Sequence, residues 1–238
     1  MALKPKARRD LQNKVAIKLE NVSTYYSGET KPAIRDVSLE IRVGDLVLIS
    51  GPNGSGKTTL LETILGLLKP REGEVLLLGH SIPREASLVR KRCSYLPQDF
   101  MKPVGEPFSV KEVVAMGLSS IRPLGKLDQN DWEAVYEVLD IFGIRNLADR
   151  PFGRLSGGQQ QKVMLARALV RKPSVLFLDE PFSALDKESR AYLSREILPD
   201  LVKKGITVLL VSHDVAYRPP DCNKIIYMKD GVVVRVEE

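Results

Sequence analysis

Residues 51–58 read Gly51-Pro52-Asn53-Gly54-Ser55-Gly56-Lys57-Thr58, which has the spacing of a phosphate-binding loop. The apolar run before it, residues 46–49, is typical of a buried strand, and residues 59–68 after it are typical of a helix. Glycines let successive N–H groups point at one anion, and the helix N-terminus adds partial positive charge there. Lys57 can reach the β- and γ-phosphates, and the Thr58 hydroxyl can bind Mg²⁺. The sequence therefore predicts a site for a nucleoside triphosphate.

The composition is that of an ordinary globular protein. The chain has 238 residues, of which 43% are hydrophobic and 28% are charged. No apolar run reaches the roughly 18 residues that a membrane span needs, and no apolar segment follows the basic start as in a signal peptide. Cys93 and Cys222 lie far apart. We therefore expect a cytoplasmic protein in a reducing compartment, without a transition-metal site of its own.

The net charge of +6 is unevenly distributed along the chain. Residues 1–14 contain five basic residues and one acidic residue, and the remaining residues carry a net charge of only +2. The sequence predicts a basic flexible tail at 1–14 and a single domain at 15–238. Because the body lacks a broad basic face, we expect no nucleic-acid partner.

The order of hydrophobic patterns predicts the fold class. Strand patterns at 15–22, 37–41 and 74–78 predict a β-rich, antiparallel opening. Strands at 92–96, 174–178 and 207–211, separated by helical patterns, predict a mainly parallel sheet, and 224–228 with 232–236 predict a hairpin. Helical patterns at 109–117 and 128–142 predict a helical lobe inserted at about 98–154. We therefore predict an α/β fold of the P-loop NTPase type, with an antiparallel β subdomain and this inserted lobe.

A pair of carboxylates follows the apolar run at 174–178. Asp179 and Glu180 stand where the predicted strand ends, and ligands of open α/β sheets bind at the carboxyl ends of the strands. Asp179 suits the coordination shell of Mg²⁺, and Glu180 is placed to act as general base on the water that attacks the γ-phosphate. The alternative is an exposed acidic pair with no catalytic role.

The residues Leu155-Ser156-Gly157-Gly158-Gln159 begin a helix predicted to extend to about residue 171. Ser156 and Gln159 have the spacing of a capping box, which explains them without any ligand. Together with the phosphate loop and Asp179-Glu180, however, this pentapeptide makes the chain from Val15 onward resemble the ATP-binding subunit of ATP-binding cassette (ABC) transporters. The resemblance implies that the pentapeptide faces the γ-phosphate held by a second copy, so that two chains enclose two ATP molecules head to tail.

The resemblance also assigns roles to isolated residues. Gln98 resembles the glutamine that contacts Mg²⁺ or the attacking water, and His213 the histidine that binds the γ-phosphate. Asp186 belongs to the segment that crosses the dimer interface in the family. Tyr26 resembles the aromatic that stacks on adenine, although Tyr25 competes for that role. The ATP contacts implied by the family are Tyr26, Gly51, Pro52, Asn53, Gly54, Ser55, Gly56, Lys57, Thr58 and Thr59. From the residues alone, a surface glutamine and a structural histidine remain open.

The resemblance extends to the kind of transporter. Residues 107–117 and 148–163 are similar to those of importers of zinc, manganese or chelated iron. This implies a homodimer on the cytoplasmic face of the membrane, held there by separate integral-membrane permease subunits and served by an external substrate-binding protein. A soluble ABC ATPase that remodels a protein partner, as in iron–sulfur assembly, and the ATPase of an exporter are the alternatives.

Overall fold

The structure is a computed structural model, and it describes residues 14–98, 108–213 and 218–238. The predicted basic tail, apart from Lys14, and residues 99–107 of the predicted lobe lie outside the described residues. All site residues named above are within them, although Gln98 and His213 each end a described range. Of the helices in these ranges, none is both long and apolar enough to span a bilayer.

A six-stranded sheet forms the centre of the protein, in the order β10-β9-β3-β8-β7-β6. Neighbouring strands are parallel except for the terminal hairpin β9–β10, as the sequence predicts. Strands β3, β7 and β8 are apolar and buried along their whole length because both faces of the sheet are covered. The strands are β3 (Leu46–Ser50), β6 (Cys93–Leu96), β7 (Val175–Asp179), β8 (Thr207–Val211), β9 (Lys224–Lys229) and β10 (Val232–Glu237).

A second sheet, antiparallel throughout, has the order β2-β1-β4-β5. It contains β1 (Val15–Thr24), β2 (Ile34–Arg42), β4 (Glu72–Leu77) and β5 (His80–Ile82). The antiparallel opening is thus confirmed. The sequence reasoning missed β5 and the short helix α2 (Ala86–Arg90), because elements of three and five residues leave no measurable periodicity.

Three helices pack together beside the central sheet. They are α3 (Val110–Ser119), α4 (Gln129–Ile141) and α5 (Gly157–Leu169). Helix α3 begins at the predicted capping box, in which both the N–H and the hydroxyl of Ser109 donate to a Glu112 oxygen at 2.7 Å. Phe142 is buried in the shared core, whereas Trp132 is only partly buried against it. These helices therefore share one apolar core with strands of the central sheet.

Two segments that the sequence predicts as helical are not single regular helices over their whole length. Helix α1 (Lys57–Ile64) follows the phosphate loop but stops before residue 68, since Gly66 has a left-handed φ of +67° that ends a helix. The sequence predicts a helix at 186–204 that Pro199 breaks or kinks. The structure divides this segment into α6 (Lys187–Tyr192), a π-helical turn (Leu193–Ile197) and α7 (Leu198–Lys203). The π turn ends two residues before Pro199, which lacks the N–H of a regular helix, so the expected interruption is confirmed.

Candidate functional site

The phosphate loop connects β3 to α1, and its backbone is packed too closely for side chains at two positions. Gly51 has φ +151°, and a Cβ there would lie 2.1 Å from the carbonyl oxygen of Met228. Gly56 has φ +96°, and its Cβ would lie 2.8 Å from the carbonyl oxygen of Ala33. The loop therefore keeps its shape only with glycine at both positions.

Two polar side chains of this loop, Lys57 and Ser55, are buried. The Lys57 ammonium donates to the carbonyl oxygens of Gly51 and Pro52, each at 2.9 Å. The Ser55 hydroxyl is buried, and among the described residues it has no hydrogen-bond partner. Because a buried polar group without a partner is costly, this hydroxyl indicates a site that fits a polar ligand.

Thr58 and Asp179 meet across the carboxyl edge of the sheet. The Thr58 hydroxyl donates to Asp179 Oδ2 at 2.6 Å. Asp179 is only 1% exposed and stands at the end of β7, two strands from β3. The two residues are 121 positions apart in the chain. The sequence predicts that both belong to the coordination shell of Mg²⁺, and the structure brings their oxygen atoms into contact.

Glu180 and His213 form a second contact at the same edge. Glu180 has φ +49°, and its N–H donates to the carbonyl oxygen of Val211, at the end of β8. This left-handed turn is unfavourable for glutamate but directs its side chain towards the next loop. Glu180 Oε1 accepts the backbone N–H of His213 at 3.1 Å and lies 2.9 Å from His213 Nδ1. The carboxylate is buried, whereas the imidazole is largely exposed.

The pentapeptide 155–159 starts α5 as a capping box. The Ser156 N–H donates to Gln159 Oε1 at 3.1 Å, and the Gln159 N–H to Ser156 Oγ at 3.4 Å. Leu155 is buried, but Ser156 and Gly157 are exposed. A Cβ on Gly158 would lie 3.1 Å from the carbonyl oxygen of Ala184, so glycine allows the helix start to approach the loop that follows Glu180.

That loop is tied down at several points. The Gln161 amide donates to the carbonyl oxygen of Pro181 at 3.1 Å, and Arg190 Nε to that of Leu185 at 2.7 Å. Asp186 caps α6 by accepting the N–H of Ser189 at 2.7 Å, and this hydrogen bond lowers the pKa of its carboxyl group. The exposed part of the pentapeptide, Ser156 and Gly157, therefore lies next to the loop that leads to Asp186.

The two candidate tyrosines have different surroundings. The guanidinium of Arg71 lies 5.0 Å above the centre of the Tyr25 ring. Tyr26 is 45% exposed, and its hydroxyl lies 2.9 Å from Thr59 Oγ1 in the first turn of α1. Gln98 is exposed, two residues beyond β6, whose Leu96 pairs with Leu178 of β7. This register puts Gln98 at the edge of the sheet where Asp179 and Glu180 stand.

Sequence reasoning missed two ionisable groups near Asp179. Burial and the Asp179 charge raise the pKa of Glu62, which stands one helical turn after Thr58. Burial, Asp179 and Glu62 likewise raise the pKa of Tyr95 in β6. The four-residue spacing from Thr58 to Glu62 was the available signal, because it places both side chains on one face of a helix.

Comparison with known proteins identifies the family. The family model described as ABC transporter matches residues 34–183, which is more than half of the chain. The chain belongs to the ABC transporter family. It is an ABC ATPase subunit, so the predicted fold class and the ATP hydrolase activity are confirmed.

Individual relatives of this ABC ATPase cover most of its length. It is 38% identical over 201 residues to the manganese transport system ATP-binding protein MntB of Bacillus subtilis, covering 84% of this chain and 77% of that protein. It is 38% identical over 212 residues to a probable metal transport system ATP-binding protein of Chlamydia muridarum, covering 88% and 86%.

Two solved structures show the same arrangement of the chain. The dimeric, post-hydrolysis ATP-binding cassette MJ0796 with ADP and Pi superposes with a TM-score of 0.81 at 30% identity, covering 93% of this chain and 98% of that one. The cassette cbiO1 of Clostridium perfringens, part of a cbiONQ transporter complex, gives a TM-score of 0.79 at 31% identity, covering 94% and 89%.

Proposed function

We propose that two copies of this ABC ATPase bind two ATP molecules with Mg²⁺ between them and use hydrolysis to drive a membrane permease that imports metal ions or metal chelates. One observation carries the proposal. The Thr58–Asp179 and Glu180–His213 contacts stand side by side at the carboxyl ends of β7 and β8, next to the phosphate loop. This edge thus combines an oxygen-rich cation site with a candidate base.

The phosphate loop supplies the anion site. Loop N–H groups and the start of α1 provide partial positive charge, and the Lys57 ammonium exchanges its two carbonyl partners for phosphate oxygens. The buried Ser55 hydroxyl gains the partner that it lacks among the described residues. The Tyr26 ring lies beside the first turn of α1 and is exposed, so a base can stack on it.

Thr58 and Asp179 fit Mg²⁺. Both present oxygen atoms, and Mg²⁺ is usually held by one or two carboxylates with waters and substrate phosphates. The described residues contain no group of three or more His, Cys, Asp and Glu side chains that could hold a metal ion without such help. Bound there with Gln98 nearby, the ion would neutralise developing charge on the phosphates.

Glu180 performs the proton chemistry. Its Oε1 accepts the His213 backbone N–H, which leaves Oε2 for the water that attacks the γ-phosphorus. The water oxygen forms a bond to phosphorus, the bond from phosphorus to the β,γ-bridging oxygen breaks, and the water proton passes to Glu180 and then to phosphate. The exposed imidazole of His213 binds a γ-phosphate oxygen.

The second copy completes the site. Ser156 and Gly157 are exposed, and the hydrogen bonds that Ser156 makes to described residues all lie within the helix start, so the N-terminus of α5 can receive an anion. The dimeric state of the cassette MJ0796 supports a head-to-tail pair. Asp186 and its loop lie next to the pentapeptide, so they belong to the same interface.

The cargo is inferred from relatives. The proteins named for manganese or metal transport are covered over 77% and 86% of their own length. The spermidine/putrescine import protein PotA 1 of Pseudomonas aeruginosa is 40% identical but is covered over only 57% of its length. Similarity in length as well as sequence favours a metal importer, with permease subunits and an external substrate-binding protein, on the cytoplasmic face of the membrane.

Purification tests the transport role directly. We expect the tagged chain, extracted from membranes in detergent, to be recovered with integral-membrane subunits, because residues 14–98, 108–213 and 218–238 contain no membrane-spanning helix and a transport role therefore needs separate permease subunits. Mass spectrometry of the complex identifies them, and a mock extraction of cells with the untagged chain is the control. Recovery with soluble partners only, from cells whose membranes are intact, would falsify the transport role and favour remodelling of a soluble protein.

A further inference from the structure

Two side-chain hydrogen bonds join the end of β1 to α1. The Thr63 hydroxyl donates to Thr24 Oγ1 at 3.1 Å, and the hydroxyls of Tyr26 and Thr59 lie 2.9 Å apart. Thr24 and Tyr26 are two residues apart in the chain, so their side chains can point the same way. Thr59 and Thr63 are four residues apart and lie on one face of α1. We call these two contacts the inner and outer rungs.

The two rungs differ in exposure. Thr24 and Thr63 are completely buried, so the inner rung is a structural contact between strand and helix. In the outer rung Thr59 is buried, but the Tyr26 ring is 45% exposed beside the phosphate loop. A tyrosine ring in that position is therefore held at its hydroxyl end and free along its face.

The neighbouring tyrosine gives a natural contrast. The Tyr25 ring is covered by the guanidinium of Arg71, and no hydrogen bond of its hydroxyl is found among the described residues. Tyr26 thus has the outer rung, and Tyr25 is the same side chain without it.

We propose that Thr59 is a positioning residue for the nucleotide base, acting through its hydrogen bond to the Tyr26 hydroxyl. The inference rests on the proposed function, in which the base stacks on Tyr26. Thr59 belongs to the loop-and-helix unit that binds phosphates, so the bond fixes the stacking surface relative to the phosphate site. A ring that is already in place costs less to order when the nucleotide binds.

The effect is measured as the difference between two ligands. ADP carries the base, inorganic pyrophosphate lacks it, and neither is hydrolysed. The ratio of their affinities, measured by calorimetry in Mg²⁺ buffer, isolates the contribution of the adenosine (base and ribose), and its change in a Tyr26 variant reports the part that depends on the ring. Tyr26→Phe keeps the ring and removes the bond, and we expect it to lower the ADP affinity by about 2- to 10-fold, the worth of one hydrogen bond, and to leave pyrophosphate unchanged.

Matched variants separate positioning from packing. We expect Tyr25→Phe to change neither affinity and Tyr26→Leu to lower that of ADP further, since it removes the ring as well. Thr59→Val should lower the ADP-to-pyrophosphate ratio as Tyr26→Phe does, and Thr59→Ser should restore it. Combining Tyr26→Phe with Thr59→Val should lower the ratio no further than Thr59→Val alone, because the bond that Tyr26→Phe removes is then already absent.

Two results would overturn this inference. One is an ADP-to-pyrophosphate affinity ratio in Tyr26→Phe equal to that of the wild type. The other is an equal loss of affinity for ADP and for pyrophosphate in Tyr26→Phe, which would indicate a structural role only. A wild-type chain that binds neither ligand would instead refute the proposed function itself, so the two failures are distinguishable.

Discussion

Replacing Glu180 by glutamine should lower ATP turnover by roughly 10²–10⁴-fold, the usual effect of removing a positioned base. The amide cannot accept the proton of the attacking water. It does keep one oxygen that can accept the His213 N–H, so the loop geometry is retained. ATP binding should be unchanged, and the variant should accumulate as an ATP-bound dimer. Phosphate release and size-exclusion chromatography with ATP measure the two effects.

Glu133→Gln is the matched control for this variant. Glu133 is exposed on α4 and contacts Gln129 by a single hydrogen bond, so the same chemical change occurs far from the site. We expect wild-type turnover. If Glu180→Gln hydrolyses ATP at the wild-type rate, the role of Glu180 as base is refuted. If it stays monomeric with ATP, the head-to-tail pair is contradicted.

Replacing Ser156 by arginine should abolish hydrolysis to below about 1% of the wild-type rate, while the isolated chain still binds ATP. The reason is that in the proposed dimer Ser156 contributes to the site on the opposite copy, where the loss of one transition-state donor alone costs about 10²–10³-fold. The larger arginine also prevents close approach to the γ-phosphate. Binding of a fluorescent ATP analogue and phosphate release measure the two quantities.

The control for Ser156→Arg comes from a second capping box. Ser109 begins α3 with Glu112 three residues later, as Ser156 begins α5 with Gln159. Ser109→Arg removes a cap of the same kind, so both variants should lose similar thermal stability. Only Ser156→Arg should lose hydrolysis. Equal turnover in the two variants would show that the pentapeptide is a helix cap and no more.

Features formed by residues close together in the chain could be predicted from the sequence. The loop between β3 and α1, the caps at Ser109 and Ser156, and the hairpin β9–β10 follow from local spacing, because glycine, capping residues and hydrophobic period act over a few residues. The Thr58–Asp179 and Glu180–His213 contacts were predictable only as neighbours at one sheet edge. Their pairing depends on the strand order β3-β8-β7, which local patterns do not encode.

Other features depend on residues distant in the chain. Tyr25 and Tyr26 are indistinguishable in sequence, and what distinguishes them is Arg71 and Thr59, which lie on other elements. Glu62 acquires its raised pKa from burial and from Asp179, 117 positions away. The short β5 and α2 exist because their neighbours hold them, since so few residues have little propensity of their own.

The dependence of hydrolysis on protein concentration tests the central claim most directly, namely that one copy cannot complete its own site. ATP turnover per chain should be measured over a dilution series at saturating ATP and Mg²⁺. We predict that the rate per chain falls as the protein is diluted and approaches proportionality to concentration once the dimer dissociates. A rate per chain that stays constant while sizing measurements show only monomer would contradict the account.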